Sequence, residues 1–325
     1  MLRATIMLCL TAVLLAACAN RSQGPQKSTE ARAIEFLQRE VPAWSRDNGC
    51  FPCHNNGDAA RALFAAHRNG YQIPHTALAD TIEWVTTPNR WNDNKGDPGF
   101  SDQRLADVQF AASLVAALES QRVKNNAAIN AAAIRVASAQ ADDGSWPIDA
   151  ANRAGSPATY GVALATYMAW DSLRRASSPE ISAAQQKAEQ HLSAIMPDSV
   201  PNTAVLLLFH NSRTDNPNSR NPLNVDHRDV GLNFLRRAQT SDGGWGPYAD
   251  SPPEAFDTAL ALLALAEFRN KDGVPEMIQR GRTYLTATQF ADGSWPATTR
   301  PSGGQSYAQQ MSTTGWATLA LLATR

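Results

Sequence analysis

Gln289-Phe-Ala-Asp-Gly293-Ser-Trp295 reads Q-x3-G-x-W, and the chain repeats the phrase twice more, as Gln140-Ala-Asp-Asp-Gly144-Ser-Trp146 and Gln239-Thr-Ser-Asp-Gly243-Gly-Trp245. A phrase recurring with fixed internal spacing marks a repeat protein, whose units bury their apolar faces by stacking on one another. Around Trp295, Arg280-Gly281-x2-Tyr284-Leu285 precedes at helical spacing and the apolar run Met311 to Leu322 follows. Asp292-Gly293 between them is a turn signal. Each phrase therefore predicts a helical hairpin, with a mixed polar and apolar first helix and a second helix apolar on most faces.

Working outward gives six such hairpins. The fifth pairs Gly231 to Gln239 with Phe256 to Leu265, and the third pairs Ala132 to Gln140 with Thr159 to Met168. Two units lack the tryptophan phrase but keep the plan. The fourth has His191-Leu192 before Thr203 to Phe209, and the second has Ile82 to Val85 before Leu105 to Leu118. A long loop from Pro88 to Ser101, containing Trp91, separates the two helices of the second unit. The first unit opens at Arg32-Ala33-x2-Phe36-Leu37, with a second helix expected over Asp58 to His67.

The motif residues have structural work to do. Gly144, Gly243 and Gly293 supply a backbone conformation that other residues resist. Trp146, Trp245 and Trp295 fill space between hairpins, and Gln140, Gln239 and Gln289 are expected to satisfy helix-end backbone groups. Asp143, Asp242 and Asp292 belong to ordinary Asp-Gly turn chemistry.

The phrase with its upstream basic-Gly-x2-aromatic-aliphatic half is similar to the QW repeat of squalene–hopene cyclases and the prenyltransferase β-subunits. The full motif stands at 280–295, and units three and five depart from its first half. The resemblance implies an all-α fold, an α/α toroid of six hairpins with inner and outer helix rings. It also implies that inner-helix N-termini and motif turns share one rim of a central cavity. The chemistry of those families does not come with it. The cyclases carry an acid in D-x-D-D, which does not occur here, and the prenyltransferases hold zinc with Asp, Cys and His, whereas no cysteine follows Cys53. Fold and activity part company at that point.

The N-terminus reads as export. Arg3 precedes an apolar run from Ile6 to Leu15, too short to span a bilayer, and Leu15-Ala16-Ala17-Cys18 resembles a lipobox. The division expected is a signal peptide over 1–17, a lipidated tether over 18–28 beginning at Cys18, and one toroid domain over 29–325. Ala19 after the cysteine carries no aspartate retention signal. The expected location is the periplasmic side of a Gram-negative outer membrane, held there by the N-terminal lipid. With 29 Lys and Arg against 30 Asp and Glu, and no long basic run, a nucleic-acid partner is not expected.

One turn breaks the repeat. Where other units place G-x-W, unit one has Cys50-Phe51-Pro52-Cys53-His54. C-x-x-C-H is the attachment sequence of c-type haem: two thiols add to the vinyl groups and the adjacent histidine reaches the iron. A Cys50–Cys53 disulfide and a zinc site on Cys50, Cys53 and His54 are the alternatives. His54 is expected on the cavity rim. Met311, at the start of the sixth inner helix on the same rim, is the candidate distal ligand. His67, His75 and His210 lie too far along or beyond their helices. Tyr160, Glu254, Asp257, Tyr307 and Trp316 fall near inner-helix starts as further cavity candidates, with Asp257 a plausible N-cap. Three functions stay open: a haem protein for electron transfer or ligand sensing with a redox partner or apolar small molecule, a cyclase-like or oxidative enzyme on an apolar isoprenoid-like substrate, and a scaffold with a disulfide.

Overall fold

A computed structural model describes residues 27–94, 102–124, 127–148, 160–213, 227–298 and 305–325. The expected signal peptide, Cys18 and most of the tether lie outside the described residues. The described residues hold no strand. Twelve α-helices follow in six pairs: α1 (Thr29–Asn48) with α2 (Ala60–Arg68), α3 (Ala79–Val85) with α4 (Gln103–Glu119), α5 (Ala127–Ser138) with α6 (Gly161–Leu173), α7 (Pro179–Ser193) with α8 (Val200–Ser212), α9 (His227–Ala238) with α10 (Ala255–Ala266), and α11 (Val274–Thr288) with α12 (Tyr307–Ala323). No described helix is long and apolar enough to cross a membrane.

The even-numbered helices form the inner ring. Each packs against the inner helix before and after it, and α12 returns to α2 and the segment preceding it, closing the circle. Composition explains the placement. In α10 every residue but Leu263 is buried, whereas α9 and α11 keep one polar face outward. Outer helices α1, α5 and α7 each bridge two inner helices; α3, α9 and α11 lie against α4, α8 and α10. Helix starts are capped locally: Ser28, Asp102, Ser178, Ser199 and Ser306 each accept from a backbone N–H of the following turn.

The three motif turns are built alike. Trp146, Trp245 and Trp295, at most 1 % exposed, donate their indole N–H to Val136, Leu235 and Leu285 carbonyls, ten residues back, at 2.8 Å in each case. Their backbone N–H groups donate to Thr166, Thr258 and Thr314 of the inner helix. Each tryptophan thus ties together the two helices of its own hairpin. Burying an indole of 150–250 Å² contributes at most about 4–6 kcal/mol.

The glutamine and glycine reach the next hairpin. Gln140, Gln239 and Gln289 donate both to their own turn, at the Gly144, Gly243 and Gly293 carbonyls, and to the Ala184, Met277 and Thr29 carbonyls of the following outer helix. These amides staple hairpins together rather than capping a helix end, as the sequence had suggested. The three glycines sit at φ +84°, +89° and +98°. A Cβ on them would stand 2.3, 2.6 and 2.3 Å from the Lys187, Arg280 and Arg32 carbonyl oxygens of that same neighbour. Asp143 and Asp292 accept from the backbone and hydroxyl of Ser145 and Ser294, the expected turn chemistry.

Unit six is stapled to unit one by the same device that joins three to four and five to six. The seam carries further ties: Arg282 pairs with Glu30 at 2.6 Å, Thr29 donates to Thr286 at 3.2 Å, and Arg32 donates to Gln289.

Two expectations need correction. The second helix of unit one begins at Cys53, not Asp58: a π-helical segment, Cys53–Ala59, runs straight into α2. The stretch after Pro88 begins as a 3₁₀ turn, Pro88–Asp93, and Trp91 within it is fully buried. Its indole donates to the Trp84 carbonyl at 3.0 Å and packs on Phe110, standing in for the missing motif tryptophan.

Candidate functional site around Cys50, Cys53 and His54

Gly49, at φ +65°, ends α1 and turns the chain. Pro52 is extended, and Cys53 then opens the π-helical segment, with Asn56 N–H bonded to the Pro52 carbonyl. Unit two holds this loop from outside. Asn94 accepts from Phe51 N–H at 2.9 Å and donates to the Phe51 carbonyl at 2.7 Å, and the Phe51 ring stacks on Trp84 at 4.5 Å. A paired amide on both backbone groups of one residue fixes a loop as a strand partner would.

Cys50 and Cys53 are both free thiols. Trp44 Nε1 donates to Cys50 Sγ at 3.2 Å. Burial, reinforced by the Asp58 charge, pushes the Cys53 thiol up to about 12. Burial also pushes His54 down to about 3, so its imidazole is neutral. The ring is met edgewise by Trp44 at 5.8 Å and Tyr307 at 5.7 Å, which stack on each other at 5.2 Å. Tyr307 Oη accepts from Asn55 at 3.0 Å and donates to Glu40 at 3.3 Å. His54 is thus half-buried, with its Nε2 atom closed off from solvent.

Three consecutive side chains here leave buried polar atoms without a hydrogen-bond partner: His54 Nε2, Asn55 Oδ1 and Asn56 Oδ1. Buried polar groups are paired in the great majority of cases, so such a cluster points to a missing partner. A haem c needs two free thiols and a neutral imidazole nitrogen, and Cys50, Cys53 and His54 offer that donor set. The Trp44 and Tyr307 rings meet His54 edge-on at this place. Met311 is fully buried in α12, one turn beyond Tyr307, whose ring packs against His54. Among the described residues no group of three His, Cys, Asp or Glu side chains is placed to hold a metal ion, so the zinc alternative has no preformed site.

Inward from this cluster lies a feature that sequence reading missed. Asp58 is fully buried, with Oδ1 accepting from Tyr160 at 2.6 Å and Oδ2 accepting from Gln109 at 2.8 Å and from Ser312. Arg61 lies 3.7 Å away. Burial raises the carboxyl's pKa, opposed by Arg61 and the three donors. Partners from α4, the start of α6, and α12 thus meet one side chain from unit one. The Tyr160 ring in turn packs with those of Phe256 and Trp316, at ring-to-ring centroid distances of 5.6–6.2 Å. Tyr160 and Trp316 are thus plug residues of the inner ring and not an open pocket wall. Asp257 is fully buried inside the first turn of α10, where Glu254 takes the N-cap position. Asp58 and Gln109 occur singly in the sequence, and only a general rule, that a charge amid an apolar helix demands a partner, could have flagged them.

No family model matches the chain, and no curated protein sequence matches it. Solved structures do. The type II terpene cyclase MstE from Scytonema superposes with a TM-score of 0.54 at 13 % identity, covering 90 % of this chain and 96 % of the cyclase. A variant of that cyclase in complex with geranylgeranyl dihydroxybenzoate gives 0.52 at 13 % identity, covering 91 % and 97 %. A glycosidase variant in complex with glucose gives 0.51 at 16 % identity, covering 92 % and 99 %. The protein has the α/α toroid fold that terpene cyclases and glycosidases share. At these identities the likeness is one of fold, and chemistry has to be argued from this chain's own residues.

Proposed function

We propose that this protein is a cyclase-like toroid adapted to carry one covalent haem c, exported and held at a membrane by lipid on Cys18, and acting in electron transfer or ligand sensing. The observation that carries the reading is the cluster of unpartnered buried polar atoms at His54, Asn55 and Asn56 beside two free thiols. Cys50 and Cys53 would hold the group as thioethers, and His54 would supply a nitrogen ligand to its iron. When bound, the haem supplies a one-electron redox centre. Burial keeps the His54 imidazole neutral, the form that would ligate iron. Asn94 holds Phe51, fixing the spacing of the two thiols, and Trp44 orients Cys50. Met311 remains the candidate for the sixth position, and a redox protein or apolar small molecule the expected partner.

The enzyme alternative is weaker on geometry. A cyclase acid must present its proton to an apolar substrate, and both Asp58 oxygens already accept from other inner helices with no exposed surface. The scaffold alternative needs a Cys50–Cys53 disulfide, and both cysteines stand here as free thiols.

The test is expression with the c-type maturation machinery and an export signal. A red protein with a Soret band, and loss of colour with retained helical circular dichroism in the Cys50→Ser, Cys53→Ser double variant, is the expected result. Colourless wild-type protein beside a red control cytochrome overturns the proposal. Met311→Ala tests the sixth position: an unchanged iron–sulfur absorption band removes it. Cys18→Ala should release the protein from the membrane fraction.

A further inference from the structure

On the far side of the Asp58 plug the toroid axis opens into a cavity of ≈ 160 Å³. It runs along the C-terminal halves of α2, α4, α6 and α12. Its wall is mixed: Ala112, Val115, Met168 and Leu319 line one part, and Arg61, Arg68, Glu119, Tyr167 and Asp171 supply polar groups. Arg61 is the lining residue nearest the N-terminal end of α2, next to the plug, and so stands at the cavity's deep end. Its guanidinium lies 4.7 Å from the Trp316 ring centroid.

Arg61 has donors to spare. The guanidinium carries five N–H groups. Among the described residues its polar neighbours are Asp58 Oδ1 at 3.7 Å and Met168 Sδ at 3.9 Å, both beyond a full-strength hydrogen bond. The mouth is different. Glu119 is paired with both Arg68 and Arg175, and Asp171 with Arg174. The lining carboxylates Glu119 and Asp171 are thus committed to guanidinium partners, which leaves Arg61 as the lining arginine without a carboxylate at hydrogen-bond distance.

We infer that this cavity binds a small organic monoanion, a carboxylate with a compact apolar body, its carboxylate on Arg61 and its body against Ala112, Val115, Met168 and Leu319. Size sets the class. A dry cavity of about 150 Å³ holds a benzene-sized molecule, so the fit is a benzoate or a short-chain fatty acid rather than a polyprenyl chain. Charge sets the head group, because an arginine fork matches a carboxylate bidentately. The site is separated from Cys50 and His54 by the plug and stands independently of haem.

The test uses the full mature chain and isothermal titration with four probes: benzoate, hexanoate, benzamide and hexanamide. The acids should bind at least about tenfold more tightly than their amides, as expected for a charge-assisted pair over a neutral one. Arg61→Gln should erase that preference, and Arg61→Lys should restore part of it. Should Arg61→Gln fail to fold, Ala112→Leu, which fills the apolar wall and leaves Arg61 in place, should abolish binding of the acids with helical content unchanged. No heat from either acid at about ten millimolar, equal binding of acid and amide, equal binding of inorganic phosphate, or undiminished binding in Ala112→Leu would each overturn the assignment.

Discussion

Replacing Gly293 with alanine separates the two costs that its position combines. Gly70 supplies the control, since it sits at φ +86° with open space where a Cβ would go. Gly70→Ala therefore meets backbone strain alone, about 1–2 kcal/mol. Gly293, at φ +98°, adds a neighbour: the new Cβ would lie 2.3 Å from the Arg32 carbonyl oxygen and 2.6 Å from its carbon. That neighbour is helix backbone and does not swing aside. Either α1 shifts outward or the turn distorts, and overpacking of this kind adds about 1–3 kcal/mol. Movement of α1 also stretches the Gln289 bond to Thr29, an additional loss of about 1 kcal/mol. The sum is about 3–6 kcal/mol. With roughly 2 °C of melting temperature per kcal/mol for a chain of this size, Gly70→Ala should melt about 2–4 °C below wild type and Gly293→Ala about 6–12 °C below. Thermal unfolding followed by circular dichroism reads both. If the two variants melt within a degree of each other, the staple between units six and one does not bear on stability and the account of ring closure is wrong.

Three further outcomes are expected. Burial works to raise the Glu30 pKa, but its backbone hydrogen bond, Arg282 and Ser28 outweigh it and hold the carboxyl below 4.5; the stability it contributes is complete above pH 4.5 and lost as pH falls through the lowered value. Glu30→Gln should thus cost about 1–3 kcal/mol at pH 7 and nothing at strongly acidic pH, and a pH-independent difference in urea midpoints would contradict this. Thr258→Val deprives the Trp245 N–H of its acceptor at 2.9 Å and should cost about 1–3 kcal/mol, whereas Thr86→Val, whose hydroxyl bonds only back to its own helix, should stay within about 0.5 kcal/mol; equal urea midpoints would remove the role given to the inner-helix threonines. In haem-free protein at pH 8, iodoacetamide should label Cys50 before Cys53, whose thiol burial pushes up to about 12, and Asn94→Ala should speed Cys50 labelling by freeing Phe51. Peptide mapping that finds both thiols equally reactive would refute the upward shift of Cys53.

Most of the architecture was legible because it is written more than once. Three copies of Q-x3-G-x-W fixed hairpin boundaries, and α10 announced itself as an inner helix by carrying one charge among apolar neighbours. Features written once stayed hidden. Trp91 sits in a stretch of Pro, Asn, Gly and Asp that looks like open loop, and its burial depends on Trp84 and Phe110 from two other elements. Asn94 clamps Phe51 across 43 residues with no local signal. The site was half legible. C-x-x-C-H named the donors, but the rings over His54 come from α1 and α12 and appear only when the ring closes. Arg61 looked like an ordinary helix arginine until its neighbours proved unable to occupy its donors.

The seam between units six and one has a meaning for how the molecule assembles and breathes. Gln140 and Gln239 reach partners 44 and 38 residues away, whereas Gln289 reaches one 260 residues back. Closing the longer loop carries an extra entropic cost of roughly 1.7 kcal/mol by the logarithmic scaling of loop length. The clasp of Arg282 on Glu30, Thr29 on Thr286 and Arg32 on Gln289 stands at that join, where it offsets the cost. α1 emerges first and yet must wait for α11 and α12 before its groove exists, so this chain stays an open arc until its last hairpin is made. Once formed, the ring is entropically weakest at the place where its two ends are buckled together, and opening there would bare the Trp44, His54 and Tyr307 contacts of the site.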